Sequence, residues 1–254
     1  MPAFDREFID SRRRGVIVGG VALVLGAAMR PLLAAGQTKQ RIGVIGSGHI
    51  GGTIGGLWIK AGHPVLFSSR HPDELKDLVA SLGELAQAGT VDQAIAFGDV
   101  LFIAVPYAAL PQIGRDYGSA LKGKIMLDAC NAVAPRDGNT LADEVEQEGV
   151  GVVSQKYLAG ARLVRAFNTL NYKIFASEAN RSGPRLAVPI AGDDPEAVQT
   201  AAALVHDAGF DPVVVGKLAD AARFQRGATG YGQAVTAAEL KQKLSLAPWE
   251  VRNE

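Results

Sequence analysis

From Arg41 onward, short apolar runs of β type alternate with helical stretches, which is the pattern of an α/β fold. Ile42-Gly43-Val44-Ile45 predicts a first strand and residues 50–61 a first helix. Residues 64–68 read as a second strand, 73–82 as a helix charged on one face, and 91–97 as a short helix. Residues 100–105 are almost wholly apolar, as in a parallel strand buried on both faces. A helix over 107–117 and strands over 124–128 and 162–167 follow. Beyond Phe167 the character changes. Residues 171–184 are polar and loop-like, and 186–191 predict a strand. Asp194 as N-cap and Pro195 at the first helical position start a helix that runs to Ala208. Residues 212–215 give a short strand, and 218–244 are expected to be mostly helical. The expected fold class is α/β: a doubly wound parallel sheet with a small, mainly helical C-terminal extension.

The first 36 residues have a different pattern. Ser11-Arg12-Arg13-Arg14 precedes a 14-residue apolar run over 16–29, and Ala34-Ala35-Gly36 offers a cleavage region. The run is Gly-rich and falls short of the roughly 20 residues a membrane span requires. Paired arginines before a short, weak apolar run resemble a twin-arginine export signal. That implies a periplasmic protein with no stable membrane span after cleavage. An uncleaved membrane anchor, or a chance N-terminal helix in a cytoplasmic protein, are the other readings of the same residues. The expected organisation is therefore a signal peptide over 1–36, a nucleotide-binding domain over 41–170, and an extension over 171–254 that completes the sheet and roofs the site.

Gly46-Ser47-Gly48-His49-Ile50-Gly51 is a G-x-G-x-x-G between a predicted strand and a predicted helix. That context turns a weak motif into a Rossmann dinucleotide-binding loop. The first glycine permits the tight turn, the second lets backbone approach the pyrophosphate, and the third lets helix and strand pack closely. The pyrophosphate is expected on the free amides at the helix start near His49. The alternative is a glycine-rich turn with no ligand.

The end of the second strand selects the nucleotide. An NAD site usually places a carboxylate there for the ribose 2′-hydroxyl. Here the chain reads Ser68-Ser69-Arg70-His71. Arg70 can form charge-assisted hydrogen bonds with a 2′-phosphate and Ser69 can donate another, so NADP is the expected cofactor. A solvated arginine in a turn is the bland reading. Val105-Pro106-Tyr107, Asn131 and Phe167-Asn168-Thr169 end later strands on the same side of the sheet. Asn131, Asn168 and Thr169 either face the nicotinamide and substrate or cap strand ends. Helical residues near Arg223 are expected to roof the cleft, with Arg223 meeting an anionic acceptor; a dimer contact with a solvated Arg223 is the alternative.

Composition narrows the classes. The chain has 254 residues, 48% of them apolar and 20% charged, with 26 basic against 26 acidic residues. Residues 1–36 hold five arginines and three acidic residues, so the remainder carries 21 basic against 23 acidic and a net charge of −2. Such a balance suits a globular protein and offers no nucleic-acid surface. The single Cys130 excludes an intrachain disulfide framework and a cysteine-based zinc site, and no metal is expected. Cys130 has no basic partner beside it in sequence and reads as a small buried hydrophobe.

Taken together, the Gly46–Gly51 loop, Ser69-Arg70, Val105-Pro106-Tyr107, Ala166-Phe167-Asn168-Thr169-Leu170 and Ala191-Gly192-Asp193-Asp194 resemble the coenzyme F420-dependent NADP oxidoreductases. The resemblance runs from about residue 41 to about residue 244. It implies a Rossmann domain that binds NADP in the glycine loop and strand-end pocket. The second redox partner, coenzyme F420 or a flavin, would lie against the nicotinamide. The chain departs from members that reduce F420 by reading Pro72-Asp73-Glu74 where they often carry a further basic residue.

The expected function is NADP-dependent hydride transfer to a small-molecule, flavin-like acceptor, from a protein that can form a homodimer. Transfer between stacked rings needs close approach and exclusion of water rather than a protein acid or base, so no catalytic residue is assigned. The alternative is a non-catalytic nucleotide-binding protein, either a redox sensor or an electron-transfer partner.

Overall fold

The computed structural model describes residues 39–246, so the leader assigned to 1–36 lies outside the described residues. β1 (Ile42–Ile45) leads through the glycine loop into α1 (His49–Lys60), then β2 (Val65–Ser68), a 3-10 turn over Pro72–Leu75, α2 (Lys76–Leu82) and β3 (Ala86–Gly89). The second half-unit comprises α3 (Val91–Phe97), β4 (Val100–Ile103), a 3-10 turn over Tyr107–Ala109, α4 (Leu110–Leu121) and β5 (Ile125–Asp128). Three helices follow: α5 (Ala134–Asp137), α6 (Asn139–Glu148) and α7 (Val150–Tyr157). β6 (Arg162–Arg165), α8 (Tyr172–Glu178), β7 (Ala187–Gly192), α9 (Pro195–Asp207), β8 (Asp211–Gly216), a 3-10 stretch over Leu218–Phe224 and α10 (Ala237–Lys243) complete the chain.

The eight strands form one sheet in the order β3-β2-β1-β4-β5-β6-β7-β8. Its apolar runs are continuous because both faces are covered. Ile42, Val44, Val100, Phe102, Leu127 and Val164 point into one core layer, with Trp58 of α1 and Leu204 of α9. Ile45, Leu101, Ile103, Met126 and Leu163 point into the other, with Leu110, Leu121 and Val153. Alternate positions along each strand thus feed opposite layers, as the pleat requires. Trp58 is fully buried, and its indole N–H donates to the Leu204 carbonyl at 2.8 Å, which ties α1 to α9.

The sheet departs from a fully parallel one. β6 and β7 pair antiparallel, with Val164 opposite Gly192 and Arg165 opposite Ala191, while β8 runs parallel to β7. The connection after β6 stays at the carboxyl end of the sheet, where it forms α8 within the stretch expected to be a loop. The chain then re-enters the sheet from that same end, so β7 runs opposite to β6.

Three further differences have local causes. β3 was not expected because it holds only Ala-Gln-Ala-Gly, an edge strand of small residues with its two middle positions exposed. The helices α5–α7 fill a region with no expected element; α6 is polar and buries only Val145, so it lacks an apolar stripe. Residues 218–244 are not mostly helical. A 3-10 stretch and the seven-residue α10 flank a non-helical segment over 225–236 that contains Gly227, Gly230 and Gly232.

Candidate functional site

The sheet reverses its winding between β1 and β4, whose ends lie side by side with Ile45 opposite Ile103. Ligands of open α/β sheets bind outside the strand ends at such a switch point. The glycine loop leaves β1 there, and Ala104-Val105-Pro106 leaves β4.

The three motif glycines have separable reasons. Gly46 has φ +95°, and a Cβ on it would lie 2.6 Å from both the Ala104 carbonyl oxygen and Val105 Cγ1. A Cβ on Gly51 would sit 1.9 Å from the Gly46 carbonyl oxygen, so close packing of α1 on β1 requires glycine. Gly48 differs. It is the N-cap of α1 at φ −72°, ψ −160°, a conformation open to any residue, and a Cβ there would meet no protein atom within 4 Å. Nothing in the protein itself demands glycine at 48. What its missing side chain leaves clear is the approach to the first amides of α1, which have no intrahelical partner. The residues present therefore fit a bound pyrophosphate.

The loop is braced against the end of β2. Ser47 Oγ donates to the Ser68 carbonyl at 3.0 Å, and buried Ser68 Oγ donates to the Val44 carbonyl at 2.8 Å. Ser69 Oγ accepts the His71 amide at 3.1 Å, which shapes the turn that presents Arg70. Arg70 is exposed and forms no hydrogen bond or ion pair with the described residues. The acidic pair that follows is partly neutralised, because Asp73 binds Lys76 at 2.9 Å.

Beside the loop opens a cleft of about 640 Å³. Its walls include His49, Ile50, Val105, Pro106, Asn131 and Asn168, the sequence-assigned residues brought together here. Gly46, Ser47, Gly48 and Gly51 form the loop at its edge, and Ser69 and Arg70 stand outside it at the neighbouring strand end. Asn131 Nδ2 donates to the Asn168 carbonyl at 2.7 Å, and Asn168 Nδ2 faces the Phe224 carbonyl at 3.4 Å. These bonds orient both amides. They leave Asn168 Oδ1 and Thr169 Oγ1 buried without a partner, a costly state for polar atoms that line a cleft. Phe167, just before them, is fully buried at φ +59°, a left-handed backbone rare for an aromatic residue. Its ring lies edge-on to Trp58, Phe102, Phe175 and Phe210, a cluster that holds the strained turn in place.

Two expectations fail here. Tyr107 does not face the cleft: it is fully buried, and its hydroxyl meets Ser154 Oγ at 3.1 Å and the Val150 carbonyl at 3.3 Å. Burial raises its pKa above the ordinary tyrosine value, so the hydroxyl stays protonated and serves as a structural donor in the core. Arg223 does not reach the cleft either, because its guanidinium donates to the Leu244 carbonyl. The residues of that region that do line the cleft are Tyr231 and Gly232, the latter bound through its amide to the Thr169 carbonyl at 3.0 Å.

Sequence patterns also missed Tyr172, whose ring stacks on His49 with centroids 4.2 Å apart and planes within 7°. The pairing joins residues more than a hundred positions apart, and no local signal carries it. Cys130 lines the cleft but is 2% exposed. Burial first, then the nearby Asp128 carboxylate, push its thiol pKa well up, so it is a poor nucleophile. Beneath it, Arg165 and Asp128 form a fully buried ion pair, and Arg165 also donates to the Cys130 carbonyl at 2.6 Å. The pair anchors the end of β5. Among the described residues, no cluster of His, Cys, Asp or Glu could hold a metal ion, and no helix is long and apolar enough to cross a membrane.

A mostly parallel sheet with a glycine loop and strand-end cleft at its switch point defines the class: Rossmann-type dinucleotide-binding folds. Residues 41–132 match the family described as "NADP oxidoreductase coenzyme F420-dependent". It is 28% identical over 191 residues to Metalloreductase STEAP3 of Rattus norvegicus, spanning 73% of this chain and 36% of that protein. A 41-residue segment is 56% identical to Putative protein YjhV of Escherichia coli K12, spanning 16% of this chain and 30% of that protein. The chain thus spans about a third of the length of the curated relatives it matches.

Solved structures share the fold. The protein SMa0349 of Sinorhizobium meliloti superposes with a TM-score of 0.67 at 24% identity, over 78% of this chain and 95% of that one. A protein of Arthrobacter sp. FB24, provisionally described as an F420-dependent NADP-reductase, gives 0.61 at 22% identity, over 72% and 87%.

Proposed function

We propose that this chain is an NADP(H)-dependent oxidoreductase that exchanges a hydride with a flavin-like acceptor such as coenzyme F420. The observation that carries the NADP preference is the end of β2, where Ser69 and Arg70 stand in place of a carboxylate and Arg70 makes no contact with the described residues. NADP(H), when bound, supplies a hydride donor or acceptor at its nicotinamide ring. The residues do the rest. The α1 amides would hold the pyrophosphate across Gly48, and Arg70 with Ser69 the 2′-phosphate. Asn168 Oδ1 and Thr169 Oγ1 offer hydrogen-bonding groups to a ligand in the cleft. Val105, Pro106 and Ile50 give it apolar walls that help to exclude water. The cleft is open and larger than a nicotinamide ring needs, which favours an enzyme over a non-catalytic nucleotide sensor.

The test is oxidation of NADPH by the purified protein with F420, FMN, FAD or ferric chelates as acceptor. At least one is expected to be reduced catalytically, and failure with all four would overturn the reading. Asn168→Leu is expected to lower turnover with the acceptor while NADPH affinity stays largely intact; unchanged turnover would remove Asn168 from the site.

The proposal includes export through the twin-arginine route with cleavage near Gly36, supported by Arg12-Arg13 before a short, weak apolar run. Arg12→Lys with Arg13→Lys is expected to retain the protein in the cytoplasm on cell fractionation. Undiminished periplasmic protein would contradict the route.

A further inference from the structure

Among the residues that line the cleft, Arg136 alone carries a permanent charge, and the reading above gives it no task. It belongs to α5, just beyond the end of β5, and its side chain is 48% exposed. It is nevertheless held in one orientation. Its Nε and Nη2 both donate to the Asp137 carboxylate, Nη2 at 2.8 Å, and Nη2 also donates to the Asn131 carbonyl at 2.7 Å. Asp137 is fixed in turn. Its side chain is fully buried, and it accepts the Val133 amide at 2.8 Å and the Ala108 amide at 3.2 Å. Two amides and the guanidinium thus engage the carboxylate, while Arg136 Nη1 has no partner among the described residues. A guanidinium braced along one edge, with its remaining nitrogen free, is preorganised to receive an anion.

The strand order separates this cation from the nucleotide phosphates. Neighbouring strand ends run β2, β1, β4, β5, so Arg70 leaves the sheet on one side of the glycine loop and Arg136 on the other. The end of β5 is two strands from that of β1, roughly 10 Å at about 4.8 Å per strand. Arg136 is linked instead to the inner wall of the cleft. Asn131, whose carbonyl it binds, donates through Nδ2 to the carbonyl of Asn168, the residue whose Oδ1 is buried without a partner. We propose that Arg136 determines acceptor specificity by pairing with an anionic group on the redox acceptor. The inference rests on the ring-acceptor reading above and adds the charge and the residue that meets it. Arg136 thereby takes the role expected of Arg223, whose guanidinium is turned to the Leu244 carbonyl.

The test compares acceptors that share a ring and differ in charge: riboflavin with FMN, and the uncharged deazaflavin riboside of coenzyme F420 with F420 itself. Their dissociation constants are measured by ring fluorescence on the full chain saturated with NADP+, a readout independent of turnover. The anionic member of a pair is expected to bind about five- to tenfold tighter, the lower range of a charge-assisted contact because the guanidinium is half-exposed. Added salt should shrink that preference, a check that needs no variant. Arg136→Gln should abolish the preference and leave the uncharged ring and NADPH nearly unaffected, whereas Arg136→Lys, which keeps the charge, should retain part of it. Equal binding of charged and uncharged members by the wild-type chain would overturn the proposal. So would a preference that survives Arg136→Gln, or an equal loss for both members, which would leave Arg136 only a brace for the segment after β5. A loss confined to NADPH would assign the arginine to the nucleotide and overturn it as well. Failure of both rings to bind in any form would overturn the ring-acceptor reading, and the anion contact with it.

Discussion

Gly48→Ala is expected to weaken dinucleotide binding by at least about tenfold, roughly 1.4 kcal/mol, while leaving the fold intact. The new methyl group meets no protein atom within 4 Å, and the backbone at φ −72° accepts alanine. Alanine caps a helix less well than glycine but also restricts the unfolded chain, and these effects oppose each other. Thermal stability should therefore shift by no more than about 1 kcal/mol. Gly51→Ala should behave in the opposite way. Its methyl would lie 1.9 Å from the Gly46 carbonyl oxygen, so α1 must move off β1. Overpacking of this kind costs about 1–3 kcal/mol or more, roughly 2–12 °C in melting temperature for a domain of this size. Calorimetry and a nucleotide titration on both variants separate the two roles. A Gly48→Ala protein that binds as well as wild type would show that the open space at 48 is not the pyrophosphate's.

Arg70→Ala is expected to cost one to two decades in NADPH affinity and to leave NADH binding nearly unchanged. A bidentate contact between a guanidinium and a phosphate is worth about 1.5–3 kcal/mol. NADH lacks the 2′-phosphate and forgoes that contact in either protein. Arg70 makes no bond with the described residues, so its loss should not disturb the turn, which Ser69 and the His71 amide hold at 3.1 Å. The NADPH contact is exposed and should weaken with added salt. Equal losses for both nucleotides would mean that the mutation acts on the loop rather than on the phosphate.

The legible parts of this molecule are those written locally. The Gly46–Gly51 loop, the apolar strands β1, β4 and β5, and the Asp194-Pro195 start of α9 each depend on a few adjacent residues. In the last, the Asp194 side chain accepts the Ala197 amide at 3.0 Å, as a cap should. The strand-end residues Val105, Pro106, Asn131 and Asn168 could be placed on one side because parallel strands bring their carboxyl ends together.

What could not be read depends on distant partners. The reversal of β7 hinges on where the chain turns after Phe167, and nothing in its apolar pattern records direction. The stack of Tyr172 on His49 and the placement of Tyr231 against the cleft join segments with no shared periodicity. Arg223 and Tyr107 show the same limit from the other side. Each has the chemistry expected of a site residue, yet Arg223 caps the end of α10 and Tyr107 is drawn into the core by Ser154.

The central claim is that the strand-end site holds NADP(H) in preference to NAD(H). Equilibrium titration of the wild-type chain with NADPH and with NADH, at one fixed salt concentration, tests it most directly. The expected result is saturable binding of both, with NADPH tighter by at least about tenfold. NADH binding as tightly as NADPH, or no saturable binding of either, would contradict it.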